Sequence, residues 1–329
     1  MNVLVVGGAG YIGSHAMKYL IESGHNAMAL DNLGLGHRAA VPEGRLIVGD
    51  ASDIDHTTDV LKSHKIDAVM HFAAFAAVNE SVNDPAKYYQ NNVCATINLL
   101  QAMRQAGVRQ FVFSSTTATY GEPDVIPIAE STPQQPINPY GFTKLVVEQA
   151  LADYAQAYGF AYAALRYFNA AGAAADGSIG EDHTPESHLI PIVLQVALGQ
   201  RDAITIYGDD YPTPDGTCIR DYIHVDDLAS AHLAALNHLQ PGKGLCLNLG
   251  TGTGTSVRQI VDTARDVTGH PIPEIMGSRR AGDPPELVAD SRAAQSTLGW
   301  KPFHTTPRSI IETAWNWHRK HPNGYRSRD

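Results

Sequence analysis

Residues 2–13, NVLVVGGAGYIG, decide the fold of this chain. The apolar run Val3–Val6 predicts a strand buried on both faces, as in a parallel sheet. Three glycines follow at three-residue spacing, Gly7, Gly10 and Gly13, and an amphipathic helix is predicted from about Ile12 to Ser23. At such a turn the backbone N–H groups and the helix dipole favour a phosphate, and glycines allow a close approach to a pyrophosphate. The stretch therefore predicts a dinucleotide site.

A second apolar run adds to this site. Ala27–Leu30 ends in Asp31, which lies 18 residues after Gly13. A carboxylate at this distance can accept hydrogen bonds from both hydroxyls of an adenosine ribose, and it repels a 2′-phosphate. Asp31 therefore predicts NAD rather than NADP.

Strand and helix patterns alternate through the first half of the chain. Predicted strands cover 45–48, 67–72, 110–113 and 161–167, and predicted helices cover 54–64, 84–107 and 138–159. Repeated strand–helix units with short turns predict an α/β fold with a doubly wound parallel sheet of the Rossmann type. Ligands of such sheets bind beyond the carboxyl ends of the strands.

The pattern changes after Asn169. The stretches 170–183 and 208–221 are rich in small and polar residues and predict loops, whereas 245–249 is apolar enough to rejoin the sheet. Further predicted elements are helices at 188–198, 224–238, 256–267, 291–298 and 307–318 and a strand at 203–207. We expect a dinucleotide-binding domain of residues 1–168 plus about 222–250. We expect a smaller, interleaved C-terminal substrate lobe of residues 169–221 plus about 251–329.

Composition excludes several classes of partner. A net charge of −10 over 329 residues argues against nucleic acid. The three cysteines, Cys94, Cys218 and Cys246, form no Cys-x-x-Cys pair, so neither disulfides nor structural zinc is expected. The sequence has no 18-residue apolar span and enters its first strand without a signal-peptide pattern. We expect a cytoplasmic protein that binds neither a membrane nor a metal.

Tyr140 and Lys144 are the candidates for chemistry. They lie four positions apart in YGFTK, just inside a helix that begins near Asn138, so they share one helix face. A neighbouring ammonium favours the phenolate, which predicts a general base near neutral pH. The preceding strand leads into SSTTATYG at 114–121, which places hydroxyl groups at the same sheet edge.

These motifs are similar to those of the extended short-chain dehydrogenase/reductase family. Within it, longer stretches resemble the enzymes that invert C4 of a nucleotide sugar, and the match runs from Asn2 to about Trp317. The matching stretches are GGAGYIGSH, DNL, HFAA, NNV, SSTTATYG, NPYGFTK, RYFNAAGA, GDDYPTPDGTCIRDYIHVDDLA and NLGTGTGTS.

The resemblance implies a reversible redox cycle on C4 of a UDP-hexose, which would interconvert UDP-glucose and UDP-galactose. Tyr140 would take the proton of the 4-hydroxyl while tightly held NAD takes the C4 hydride. Lys144 would bind the nicotinamide ribose, and Thr116 would hydrogen-bond the 4-oxygen. The 4-keto sugar would then turn over and take the hydride back on its other face, with no net redox change.

The resemblance also assigns binding residues, position by position, and implies a homodimer through the helices that start near Asp84 and Asn138. Cofactor contacts would come from Gly7, Gly10, Tyr11, Ile12, Gly13, Asp31, Asn32, Asp50, Ala51, Phe72, Ala73, Asn91, Ser114, Tyr140, Lys144 and Tyr167. Substrate contacts would come from Thr116, Tyr140, Asn169, Leu189, Tyr207, Arg220, Arg280, Asp283 and Leu287. The two arginines suit a diphosphate as forked donors.

The chain departs from this pattern at Ala76, where some members carry lysine, and at His188, where some carry asparagine. Leu287 would face the sugar; it lacks the ring of tyrosine but is larger than serine. Because a few methylenes discriminate by only ~1–3 kcal/mol, we expect a main hexose pair and slower turnover of N-acetylated sugars.

Four alternatives stay open. The first is an epimerase for UDP-N-acetylhexosamines or UDP-pentoses. The second is a nucleotide-sugar dehydratase, but Thr117-Ala118 occupy the place of its Asp-Glu pair. The third is a non-catalytic NAD-sensing protein, which typically lacks the tyrosine or the lysine. The fourth is a net dehydrogenase or decarboxylase that exchanges free NAD.

Overall fold

A computed structural model describes residues 1–280 and 283–325. In chain order its first half contains β1 (Asn2–Val6), α1 (Tyr11–Glu22), β2 (Asn26–Asp31), β3 (Leu46–Val48), α2 (Ile54–Ser63), β4 (Ala68–His71), α3 (Val78–Asn83), α4 (Pro85–Tyr88), α5 (Ala95–Ala106), β5 (Gln110–Ser114), α6 (Pro139–Tyr158) and β6 (Ala161–Tyr167). The second half contains β7 (Asn169–Ala171), α7 (Leu189–Ala197), β8 (Ile204–Tyr207), β9 (Ile219–His224), α8 (Val225–Asn237), β10 (Gly244–Leu249), β11 (Gly254–Ser256), α9 (Val257–Thr268), β12 (Glu274–Gly277), β13 (Glu286–Leu287), α10 (Arg292–Leu298) and α11 (Pro307–Lys320).

Seven strands form one parallel sheet in the order β10-β6-β5-β4-β1-β2-β3. Alternate residues of β1 enter the two hydrophobic cores on opposite faces of the sheet: Val3 and Val5 pack on the side of α1 and α8, and Leu4 and Val6 on the side of α2, α5 and α6. This confirms the doubly wound Rossmann-type sheet predicted from the sequence, including the return of the segment around 245–249.

The second half builds smaller sheets beside the main one. Strands β7, β9, β11 and β13 form one, and β8 pairs with β12 in another. Helices α7, α9 and α11 share a third core with β7, β8 and β9. We propose that the chain divides as the sequence predicts, because the strands after β6 leave the main sheet and only β10 returns to it among the described residues. Within the same residues, no helix has both the length and the apolar character needed to cross a membrane.

The segment before β5 is not the single helix predicted over 84–107. It contains α4, a π-helical turn at Tyr89–Cys94 and α5, and α3 precedes it. A π turn carries one residue more than an α-helical turn. This one contains Asn92, whose side-chain oxygen accepts from the Phe75 N–H and whose side-chain nitrogen donates to the Phe75 carbonyl, both at 2.9 Å.

The predicted loops were also wrong in part. The loops predicted over 170–183 and 208–221 contain β7 and the start of β9, and β11, β12 and β13 were not predicted. Strands of two to four residues are too short to show a two-residue alternation of apolar side chains.

Candidate active site

The glycine loop between β1 and α1 packs against the backbone of the chain that follows β4. Gly7 has φ +80°, and a Cβ there would lie 2.5 Å from the Ala73 nitrogen. A Cβ on Gly13 would overlap the Gly7 carbonyl oxygen, and the Gly10 N–H donates to that same oxygen at 3.1 Å. Only glycine permits this packing of β1, α1 and the chain after β4. It places Tyr11 and Ile12 in the first turn of α1, where backbone N–H groups favour an anion.

The side chain of Tyr11 ties this loop to the second lobe. Its hydroxyl donates to the Gly172 carbonyl at 2.7 Å. Burial raises the pKa of Tyr11 well above its usual value, and the carboxylates of Glu181 and Asp226 add to the effect. Tyr11 therefore stays protonated and anchors the loop by its side chain, while its backbone remains the part expected to meet a pyrophosphate.

Asp31 lies at the end of β2, against the glycine loop. One carboxylate oxygen accepts from the Ala9 N–H at 3.0 Å and the other from the Leu33 N–H at 2.8 Å. Each oxygen can accept a further hydrogen bond. Asp31 thus fixes the loop and still offers the ribose acceptor predicted from the sequence.

Asn32 and Asp50, at the ends of neighbouring strands, contact each other. The Asn32 amide donates to the Asp50 carboxylate at 3.3 Å. Burial raises the pKa of Asp50, but hydrogen bonds from Ser52 and Asn32 outweigh it and hold this pKa below its usual value. Asp50 and the adjacent Ala51 therefore lie on the same sheet edge as Asp31, as expected for the adenine end.

The chain after β4 forms the next wall. Phe72 packs its ring 4.7 Å from that of His232, and the Ala73 N–H donates to the Val6 carbonyl at 3.2 Å. The Asn91 amide donates to Asn92 Oδ1 at 3.0 Å.

Asn92 is a positioning residue that the sequence analysis missed. It holds the loop at Phe75 from one side, and on the other its amide donates to Thr143 Oγ1 of α6 at 3.2 Å. Thr143 directly precedes Lys144. The NNV motif was the available signal, but only its first residue was assigned a role.

Tyr140 and Lys144 lie in the first turns of α6, which Asn138 caps by accepting from the Gly141 N–H at 2.8 Å. The Lys144 ammonium donates to the Ser114 carbonyl at 2.9 Å and lies 6.0 Å from the centre of the Tyr140 ring. The Ser114 hydroxyl contacts the Tyr167 hydroxyl at 2.5 Å. The structure therefore brings these four predicted residues together at the ends of β5 and β6.

The pKa shifts of Tyr140 and Lys144 differ from those expected from the sequence. Burial raises the pKa of Tyr140, and a hydrogen bond with the Thr116 hydroxyl opposes that rise. Burial lowers the pKa of Lys144 to about 7, against the attraction of Glu148. The predicted lowering of the Tyr140 pKa by Lys144 is wrong for the protein alone, because burial dominates and the ammonium is bonded to a carbonyl instead.

A buried polar network lies beneath this pair and was also missed. Arg166 makes a two-pronged ion pair with Glu148 of α6, with N···O distances of 3.0 and 2.5 Å. Glu148 also accepts from the Ser115 hydroxyl at 2.5 Å, and Arg166 donates to the Tyr120 hydroxyl at 2.7 Å. The network thus fixes the strand-end turn that carries Thr116 against the helix that carries Tyr140. The available signal was Glu148, one helical turn after Lys144 on the same face.

Seven of the nine predicted substrate residues lie in the second half of the chain. Arg220 of β9 pairs with Asp283, and the Arg280 guanidinium lies 4.1 Å from the centre of the Tyr207 ring. Leu287 of β13 is paired in register with Arg220 on the neighbouring strand, so both side chains leave the same face of the sheet.

The other substrate candidates lie at element ends. Asn169 opens β7 and donates weakly to the Asp221 carbonyl at 3.4 Å. Leu189 opens α7. His188 lies 2.8 Å from a carboxylate oxygen of Glu181 through its Nδ1, so its side chain contacts an acidic cluster.

Comparison with known proteins gives a consistent picture. Residues 3–250 match the model of the NAD dependent epimerase/dehydratase family. The chain is 53% identical over 326 residues to a UDP-glucose 4-epimerase of Halalkalibacterium halodurans, with 99% of this chain and 98% of that protein covered.

Solved structures agree. A crystal structure of a UDP-glucose 4-epimerase has a TM-score of 0.97 at 52% identity and covers 99% of this chain and 100% of its own. The structure of UDP-glucose 4-epimerase from Brucella ovis in complex with NAD has a TM-score of 0.92 at 52% identity, and the match covers 95% of this chain and 97% of that one.

Proposed function

This chain belongs to the NAD dependent epimerase/dehydratase family, and we propose that it is an NAD-dependent UDP-glucose 4-epimerase that interconverts UDP-glucose and UDP-galactose. The observation that carries the proposal is the convergence of Tyr140, Lys144 and Ser114 beside a glycine loop that Asp31 braces. The loop fits a dinucleotide because its glycines keep side chains away from the first turn of α1.

The chain's own residues perform the proton chemistry. Tyr140 accepts the proton of the sugar 4-hydroxyl and later returns it, while Thr116 orients the 4-oxygen. Lys144 would bind the nicotinamide ribose and bring positive charge near the phenol. When bound, NAD would supply reversible hydride chemistry for C4 of the sugar. Lys144 is buried and Tyr140 is half-buried, which limits the access of water to the groups that exchange protons.

The second lobe holds the rest of the substrate. Arg220 and Arg280 suit the diphosphate because a guanidinium donates in a planar fork. Asp283 orients Arg220 through their ion pair. Anchoring at the diphosphate would leave the sugar ring free to present either face of C4 to the cofactor site.

A test of the function uses the whole chain with UDP-galactose, UDP-N-acetylgalactosamine and UDP-arabinopyranose, following each C4 epimer. Tyr140→Phe keeps the ring but removes the ionisable oxygen, so we expect retained NAD and turnover lowered by about two decades or more. Tyr158→Phe is the matched control, since Tyr158 ends the same helix and is exposed. Near-normal turnover by Tyr140→Phe overturns the assignment.

Leu287 is proposed to limit the size of the sugar, because it leaves the same face of the small sheet as Arg220. Leu287→Tyr should suppress turnover of the N-acetylated pair and spare the hexose pair. If both rates fall together, or neither changes, Leu287 is not the gate.

A homodimer is supported by exposed apolar side chains around α3 and α6. Val78, Val82, Tyr89 and Phe142 are between 38% and 60% exposed, which is unusual for a cluster of such residues on one monomer. Phe142→Glu should halve the mass seen in sedimentation, whereas an unchanged mass places the interface elsewhere.

A cytoplasmic location is supported by the three unpaired cysteine thiols.

A further inference from the structure

Glu181, His183, Glu186 and His188 lie on one loop between β7 and α7. Each offers one nitrogen or oxygen atom, and these four atoms all lie within 4.8 Å of one another. Both glutamate side chains are 4% exposed, whereas the histidines are 33% and 52% exposed. Glu181, His183 and Glu186 lie in the wall of a cavity of about 420 Å³ that is also lined by His318 and His321. It contributes nothing to the proposed epimerase chemistry.

The contacts within the cluster are close but not aligned as hydrogen bonds. His183 Nδ1 lies 3.2 Å from Glu181 Oε1, and His188 Nδ1 lies 2.8 Å from the same oxygen. Nevertheless Glu181 Oε1 and His183 Nδ1 are buried without a hydrogen-bond partner. A cation bound between these atoms would satisfy both the buried carboxylate oxygen and the buried ring nitrogen.

The distances also fit the shell of one small cation. His183 Nδ1 lies 3.7 Å from Glu186 Oε2, and His188 Nδ1 lies 3.2 Å from Glu186 Oε1. Ligand atoms of a tetrahedral Zn²⁺, with bonds of about 2.0–2.1 Å, lie roughly 3.3 Å from each other. Two carboxylates and two neutral imidazoles around a dication carry no net charge, which offsets the cost of burying both glutamates.

We propose that Glu181, His183, Glu186 and His188 bind a structural Zn²⁺. Imidazole and carboxylate ligands suit zinc, and four protein ligands leave no open position for catalysis. This replaces the sequence-based expectation of no metal, which considered only cysteine pairs.

The surroundings hold the ligands in place, as outer-shell groups do at metal sites. Glu186 Oε1 accepts from the N–H groups of Ser187 and His188 at 2.7 and 2.8 Å. Trp317 of α11 donates to the Glu181 carbonyl at 3.2 Å, and His37 contacts the Asp182 carbonyl at 3.0 Å. The zinc would therefore fix the conformation of the loop that leads into Leu189, and the contacts of Trp317 and His37 attach this loop to the rest of the chain.

The test measures metal in the untagged full chain. The chain is dialysed against chelator, incubated with ZnCl₂, separated from unbound metal and analysed by mass spectrometry for zinc per chain. Co²⁺ in place of Zn²⁺ adds a spectroscopic readout, since a tetrahedral site gives intense visible absorption. The ligand variants are Glu186→Gln and His183→Ala/His188→Ala. His321→Ala is the control, because His321 lines the same cavity but its Nε2 contacts the Gly177 carbonyl.

We expect about one zinc per chain in the original protein and in His321→Ala, and a loss of most of it in both ligand variants. Retained NAD and unchanged circular dichroism show that the variants fold. Glu186→Gln keeps the side-chain size, so it still tests the site if the double histidine variant does not fold. The proposal is overturned if the original chain takes up no zinc, or if folded ligand variants bind as much as the control. Neither result affects the epimerase assignment, which is measured separately.

Discussion

The Glu148–Arg166 ion pair is the feature whose loss should destabilise the active site most. Both side chains are 5% exposed, so Glu148→Gln leaves the Arg166 charge buried without a counter-charge. Breaking a buried pair by removing one partner costs about 3–5 kcal/mol. Glutamine keeps the shape and one acceptor, so we expect a loss near the lower end, about 3 kcal/mol in the free energy of unfolding.

Urea unfolding at fixed NAD concentration measures this loss. The double variant Glu148→Gln/Arg166→Met removes both charges and should be more stable than Glu148→Gln, because no unpaired charge stays buried. Asp153→Asn is the control, an exposed position on the same helix that accepts only from Gln149, and it should change stability by less than about 0.5 kcal/mol. The reasoning is refuted if Glu148→Gln lies within about 1 kcal/mol of the original protein, or if the double variant is less stable than the single one.

Two further predictions concern pH and cofactor. Burial lowers the pKa of His71 and His224 to about 3 and that of His232 to about 4, so below pH 6.5 the unfolded chain binds more protons than the folded one. The free energy of unfolding should therefore fall as the pH drops from 6.5 to about 4, by up to about 1.4 kcal/mol per pH unit for each histidine. His71→Asn should make this pH dependence weaker in urea unfolding. An unchanged pH dependence would contradict the conclusion that His71 is buried in its neutral form. Protein denatured after purification should release NAD, because Asp31 repels a 2′-phosphate, and recovery of mostly NADP would show that Asp31 does not select the cofactor.

The parts of the fold that the sequence predicted are those with strong local signals. Val3–Val6 is wholly apolar because both faces of its strand are buried, and the helices after it repeat an apolar stripe. The glycine loop was predictable because its close contacts are with backbone. A Cβ on Gly13 would meet the backbone of Gly7, and a Cβ on Gly7 would meet the backbone of Ala73, just after β4. Tyr140 and Lys144 were found because their spacing within one helix places them on one face.

The features that could not be predicted from the sequence depend on contacts between segments that are distant in the chain. The position of Glu148 one helical turn after Lys144 places it on the same helix face, but Arg166 lies on a different segment, and the sequence does not show that the fold buries the two together. The rise in the pKa of Tyr140 follows from burial, which the motif itself does not encode. The π turn at 89–94 contains Asn92, whose contact with Phe75 joins segments 17 residues apart and has no local signal.

The central claim is that one hydride leaves C4 of the sugar and returns to the same carbon within the closed site. UDP-glucose labelled with deuterium at C4 tests it directly, with the UDP-galactose product analysed by NMR and mass spectrometry. The account predicts full retention of deuterium at C4, none released to water and no accumulation of NADH. Loss of the label to solvent, or its dilution by added unlabelled NADH, would contradict it.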